Sequence, residues 1–158
     1  MSKEEFNLKN EYEQLRKNYK ELPNFEDLNN DFELDAIDKP GFLHRQIRRR
    51  LNDKVIFFCK IVENLIYPSM QSTIGAYESN FFNDTERDQL VKLHKTLMVY
   101  ERRALGLDVE TGEEGDIQFI LDLVKEFGNF KLELIKVVSK MTDTWKKELE
   151  DDGERYFG

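Results

Sequence analysis

Arg87, His94 and Glu101 recur at intervals of seven residues in the stretch RDQLVKLHKTLMVYE, which makes them the residues best spaced for chemistry. Seven residues nearly complete two helical turns, so the three fall within about 40° of one another, among the leucines of the same segment. Successive members stand roughly 10.5 Å apart along the axis, too far to bond directly as a triad. Any partners must come from other helices. On the simpler reading, Arg87 and Glu101 reach solvent near the two ends of the helix, and His94 is a core-edge residue hydrogen-bonded to a neighbour. Other chemistry-bearing sets are sparse. With two histidines and Cys59 as the single cysteine, and with no Glu-x-x-His, His-Glu-x-x-His or Cys-x-x-Cys, the usual zinc or di-iron ligand sets are hard to assemble. TGEEG lacks the Walker lysine pattern and a preceding strand. The sequence therefore predicts no metal and no cofactor.

The segment RDQLVKLH, with Arg87, Asp88 and His94, resembles the Arg-polar-x-His signature of HEPN ribonucleases, with six residues between Arg and His. Those proteins are small helical bundles that dimerise around a metal-independent RNA-cleaving site. The resemblance covers eight residues and implies that Arg87 stabilises and His94 protonates at a scissile phosphate. It also implies that the core-side location of this face opens to substrate in a dimer cleft.

A second constellation is cationic. His44, Arg45, Arg48, Arg49, Arg50 and Lys54 make 44–54 the most basic segment of a chain whose net charge is −8. The helical projection turns Arg45 and Arg49 away from Leu43, Ile47 and Leu51, with Arg48 and Arg50 at the flanks of that stripe. A surface formed by Arg45, Arg48, Arg49, Arg50 and Lys54 would suit phosphates of RNA or DNA, although no aromatic residues are interleaved for base stacking. The alternative is intramolecular: seven acidic residues and no basic one lie between Glu21 and Asp38, immediately upstream. Pairing with that acidic strap, or with a protein partner, is the preferred account of the arginines, since a charge run is usually a solvated or paired face.

The elements that must position these residues read as helices throughout. Residues 42–67 form a central amphipathic helix whose apolar pattern changes after Lys54 from one-sided to all-round, which predicts burial on several sides. Residues 3–22 form a first helix ended by Pro23, with Leu8, Tyr12, Leu15, Tyr19 and Leu22 at alternating intervals of four and three. Residues 23–41 are an acidic ordered strap that begins with a helical turn and buries Phe25, Leu28, Phe32, Leu34 and Ile37. After Pro68 comes a short helix with Met70, Ile74 and Tyr77 inward. Asn83 and Glu86 have capping-box spacing and open a helix to about Leu105, with Leu90, Leu93, Leu97 and Ala104 inside. Asp116 is the expected N-cap of a long helix, about 116–149, whose stripe runs through Ile120, Leu123, Phe127, Phe130, Leu134, Val138, Met141 and Trp145. Gly128-Asn129 interrupts its composition without breaking its phase. Residues 150–158 are expected to be a loose tail, anchored if at all by Tyr156 and Phe157.

The fold class predicted is thus all-α, a single helical bundle of four to five main helices over residues 1–158. Twelve phenylalanines, six tyrosines and a tryptophan supply a core. The N-terminus has no apolar leader and the longest apolar run is far below the roughly 20 residues of a membrane span. A lone cysteine on an apolar helix fits a reducing compartment, and the location expected is cytoplasmic. With no convincing catalytic set and two surfaces of opposite charge, the sequence points to a non-catalytic interaction or adaptor protein. Its partner is expected to be a protein, met through the basic end of the central helix, the acidic strap or the first helix. Nucleic acid through 44–54 is the alternative, then a HEPN-like ribonuclease; a homodimer is compatible with each, and no membrane contact is expected.

Overall fold

Asn7 opens the first element: its side chain accepts from Asn10 N at 3.1 Å, and helix α1 follows over Leu8–Asn18. The structure, a computed structural model, describes residues 5–157, with side chains through residue 155. Residues 3 and 4, expected at the start of α1, lie outside the described residues, as do the side chains of Tyr156 and Phe157. Then come α2 (Phe25–Phe32), a 3-10 turn (Leu34–Ala36), α3 (Leu43–Ile66), α4 (Thr73–Ser79), α5 (Asp84–Val109) and α6 (Glu113–Phe157). Every regular element among the described residues is helical. The fold is all-α, with one helix more than the sequence predicts.

The additional helix is α2, which arises from the acidic strap. Asn24 caps it by accepting from Asp27 N at 2.8 Å, and Glu26 and Asp27 in its first turn suit the positive end of the helix dipole. Phe25, Leu28 and Phe32 fill its buried face as predicted, and Leu34 and Ile37 are buried beyond it. Asn29 holds the exit: its Nδ2 donates to Asp35 at 2.8 Å while its Oδ1 accepts from Asp35 N at 2.9 Å. Helix α1 ends at Asn18, several residues before Pro23, because Tyr19 leaves the helical backbone at φ −132° and ψ 77°. Tyr12 is nonetheless fully buried, its hydroxyl donating to the Pro23 carbonyl at 2.7 Å. Burial pushes that phenol well above its ordinary pKa.

Two compact units divide the chain. One comprises the chain up to Phe57 together with Leu97–Lys125; the other comprises Phe58–Thr96 and the chain from Glu126 on. In the first unit Ile47, Leu51 and Val55 of α3 are fully buried, as are Leu97, Ala104, Phe119, Ile120 and Leu123. Tyr100 and Phe119 meet edge to face at 5.8 Å, and Arg103 lies over both rings while pairing with Asp122 at 2.7 Å. Entry into α3 is tight: Gly41 and Phe42 both have positive φ, and Gln46 donates to the Lys39 and Gly41 carbonyls at 3.0 and 2.7 Å. Gly41 supplies the left-handed backbone there without a side-chain clash.

In the second unit Phe58, Cys59, Val62 and Leu65 are buried, and Phe58 stacks on Phe127 at 5.3 Å. Phe57 is 55% exposed, so the predicted all-round burial of this half of α3 stops short of one face. The capping box forms as expected: Asn83 N donates to Glu86 at 3.2 Å and Glu86 N to Asn83 at 2.9 Å. Helix α5 then runs one turn past its expected end. Helix α4 corrects another expectation. Met70 precedes the helix and is fully exposed, Ile74 is 61% exposed and Tyr77 41%. Instead α4 turns its small side inward: Ser79 is buried, and a Cβ on Gly75 would stand 3.7 Å from the Asn64 carbonyl of α3. A Cβ there would thus stand at ordinary contact distance from the α3 backbone, and the larger side chains of α4 lie on its outer faces.

Helix α6 is continuous through Gly128 and extends to Phe157, so residues 150–157 are helical where a loose tail was expected. Asp151 precedes Arg155 by four residues, the acid-before-base order that supports a helix, and Arg155 suits its negative end. The expected core stripe is buried only as far as Leu134; Val138 and Trp145 are 42% and 41% exposed. The reason is length. Glu86, near the start of α5, meets Lys140 at 2.6 Å, so α5 has no residues left to cover the last turns of α6.

Candidate functional site

The basic segment is where the structure departs most from the helical projection. Arg48, expected at the flank of a phosphate-binding surface, is fully buried. Its Nε donates to Asp116 at 2.7 Å, its Nη2 to Asp108 at 2.6 Å and its Nη1 to the Ala104 carbonyl at 3.3 Å. Asp116 is equally buried, and its second oxygen lies 2.7 Å from His44 Nδ1; facing a carboxylate, that nitrogen carries the hydrogen. The expected N-cap is therefore a residue of the first turn of α6 that accepts from two α3 side chains. Burial works against the Arg48 charge, but hydrogen bonds to Asp108 and Asp116 more than offset it and raise its pKa. Asp108 is held below the usual carboxylate range, first by the Arg48 hydrogen bond. The location explains the arrangement: Arg48 meets the negative end of α5 and the acidic first turn of α6, brought together by a three-residue loop at 110–112.

The other cations are distributed differently. Arg49 reaches Asp108 at 3.2 Å and Arg50 reaches Asp53 at 3.6 Å. Arg50 also stands 3.5 Å from Glu33 of the acidic strap. The Arg45 guanidinium lies over the Phe42 ring at 4.6 Å, and Lys54 is half-buried.

Arg87 and His94 share a face of α5 but do not form a pair. Arg87 Nη2 donates to the Ser79 carbonyl at 2.8 Å and to Asn80 at 3.3 Å, tying the end of α4 to α5. His94 sits edge to face with Tyr67 at 6.0 Å, and its Nε2 is buried without a hydrogen-bond partner among the described residues. The neighbour expected to bond it is replaced by an aromatic ring. Glu101 pairs with Arg102 at 3.6 Å.

Val138 and Trp145, assigned to the core from the sequence, come to the surface on the C-terminal half of α6. Ile135 and Leu149 are 60% and 74% exposed, and with Val138 and Trp145 they form one apolar edge. Trp145 is held in place by Tyr77 at 5.3 Å and Phe81 at 5.8 Å, and its Nε1 donates to Glu78 at 3.2 Å. Tyr77 also donates to Glu148. No helix among the described residues is long and apolar enough to cross a membrane. Neither protein-family models, nor curated proteins, nor solved structures yield a match to this chain.

Proposed function

We propose that this protein is a non-catalytic, cytoplasmic helical interaction module that docks a protein partner on the C-terminal half of α6. One observation carries the reading: Ile135, Val138, Trp145 and Leu149 stand exposed at helical spacing on a helix whose preceding apolar stripe is buried. A row of large apolar side chains around a fixed tryptophan is the kind of surface on which association energy concentrates. The basic segment supports a phosphate-binding role less well, since Arg48, Arg49 and Arg50 already hold carboxylates of the same chain. Arg87 and His94 likewise favour a structural reading over RNA cleavage, each being engaged or enclosed separately. The test is affinity purification from native lysate, with nuclease treatment, comparing wild type with Ile135→Glu/Leu149→Glu. A stoichiometric partner that survives nuclease and is lost with the double variant supports the proposal. Recovery of RNA alone, or a partner indifferent to the variant, overturns it.

A further inference from the structure

The exposed edge of α6 has ends of opposite charge. Counting along it, Lys131, Ile135, Val138, Thr142, Trp145, Leu149 and Asp152 alternate at intervals of four and three, the spacing of a two-helix seam. Five lysines against Glu133 and Asp143 make residues 131–147 basic, and five acids against Arg155 make residues 148–155 acidic. Lys131 and Asp152 occupy the seam positions just outside the apolar ones.

We propose that the partner seated on this edge is a second copy of the same chain, its α6 running antiparallel with Thr142 facing Thr142. The inference rests on the docking role of α6 argued above and names the occupant. In that register Ile135 lies level with the second copy's Leu149, while Val138 and Lys131 lie within one residue of its Trp145 and Asp152, each pairing occurring twice by symmetry. A parallel arrangement would set Lys131 against Lys131 and Asp152 against Asp152, which like-charge repulsion disfavours. The two helices offer each other an apolar centre with complementary charges at both ends, so the surface is complementary to itself. Trp145 enters the pairing already fixed by Tyr77, Phe81 and Glu78, and ordering it on association costs little additional side-chain entropy.

Sedimentation of the full chain across a wide concentration range tests this. Wild type is expected to pass from monomer to dimer, and Ile135→Glu/Leu149→Glu to stay monomeric with unchanged helicity, since both residues are solvent-facing in the single chain. Lys131→Asp should weaken the dimer by about tenfold, the scale of two reversed ion pairs near a partly covered edge. Adding Asp152→Lys should restore it. Lys131 also lies over the Phe127 ring, but both charge variants lose that contact, so recovery in the double variant reports the intermolecular pair alone. In a Cys59→Ala background, Thr142→Cys should cross-link on oxidation. A wild type that remains monomeric throughout, a dimer indifferent to the seam, or a charge swap that fails to recover overturns the proposal. The two readings separate cleanly: a monomer that binds a different protein through Ile135 and Leu149 removes the second copy but keeps the docking edge. A monomer with no such partner removes both.

Discussion

Replacing Arg48 with methionine is expected to be among the costliest single substitutions in this protein. The change keeps most of the side-chain volume and removes the charge, leaving Asp116 fully buried with His44 Nδ1 as the remaining partner described above. Removing one member of a buried ion pair costs about 3–5 kcal/mol, because the other charge stays desolvated and uncompensated. For a chain of this size each kcal/mol moves the midpoint by roughly 2–4 °C, so Tm should fall by about 6–20 °C. Arg48→Met/Asp116→Leu removes both charges and should recover most of the loss, to within about 2 kcal/mol of wild type. Arg49→Met, at an exposed residue of the same cluster, should cost less than about 1 kcal/mol. Urea unfolding followed by circular dichroism at 222 nm measures all four proteins, with an unchanged m-value showing that the transition still exposes the same surface. The reasoning fails if Arg48→Met lies within 1 kcal/mol of wild type, or if the double variant is less stable than the single.

Gly128 lies in mid-helix with open space where a Cβ would go, so Gly128→Ala should raise stability by about 0.5–1 kcal/mol in the same unfolding assay. His94→Leu should be neutral or stabilising, since it removes a buried nitrogen that lacks a partner, and an unchanged or higher urea midpoint checks this. Acid should destabilise through specific carboxylates. Glu86 and Asp108 have folded pKa values below their ordinary 4.5 and 3.8, the first chiefly through its Lys140 hydrogen bond and the second chiefly through Arg48. Their contribution is therefore complete above those ordinary values and is lost as pH falls through the lower, folded ones. Stability measured from pH 6 downward should decline below about pH 4.5, and Glu86→Gln should make that decline shallower.

Helix identity was legible in the sequence because the apolar stripes are long and the caps are local. Asn83 and Glu86 declare the start of α5 by themselves, and Leu90, Leu93, Leu97 and Ala104 declare its buried side. The polar cluster was harder to read, although its signal was present. On the helical projection His44 falls between Ile47 and Val55, inside the α3 stripe; Asp108 follows Ala104 by four residues, and Asp116 precedes Ile120 by four. Each charge continues an apolar phase at the end of a stripe. Three such ends can be recognised as one cluster only when their meeting in space is known, and that depends on how the α5–α6 loop folds back. The α4 face went the wrong way because a seven-residue helix that begins after Met70 holds too few apolar positions for their spacing to fix which side turns inward. Exposure of Val138 and Trp145 follows from the relative lengths of α5 and α6, which a single stripe does not encode.

The separation of Arg48 from its carboxylates also sets an order of events during synthesis. Asp108 and Asp116 follow it by 60 and 68 residues, and a ribosome adding about 5–20 residues per second delivers them roughly 3–14 s later. Throughout that interval the guanidinium has no buried carboxylates to meet, and α3 cannot dehydrate the face that carries it without leaving a charge uncompensated. An α3 that packed before they arrived would bury an unmatched charge. Burial of Arg48 with both of its carboxylates therefore comes only after the first turn of α6 has been translated, late in synthesis.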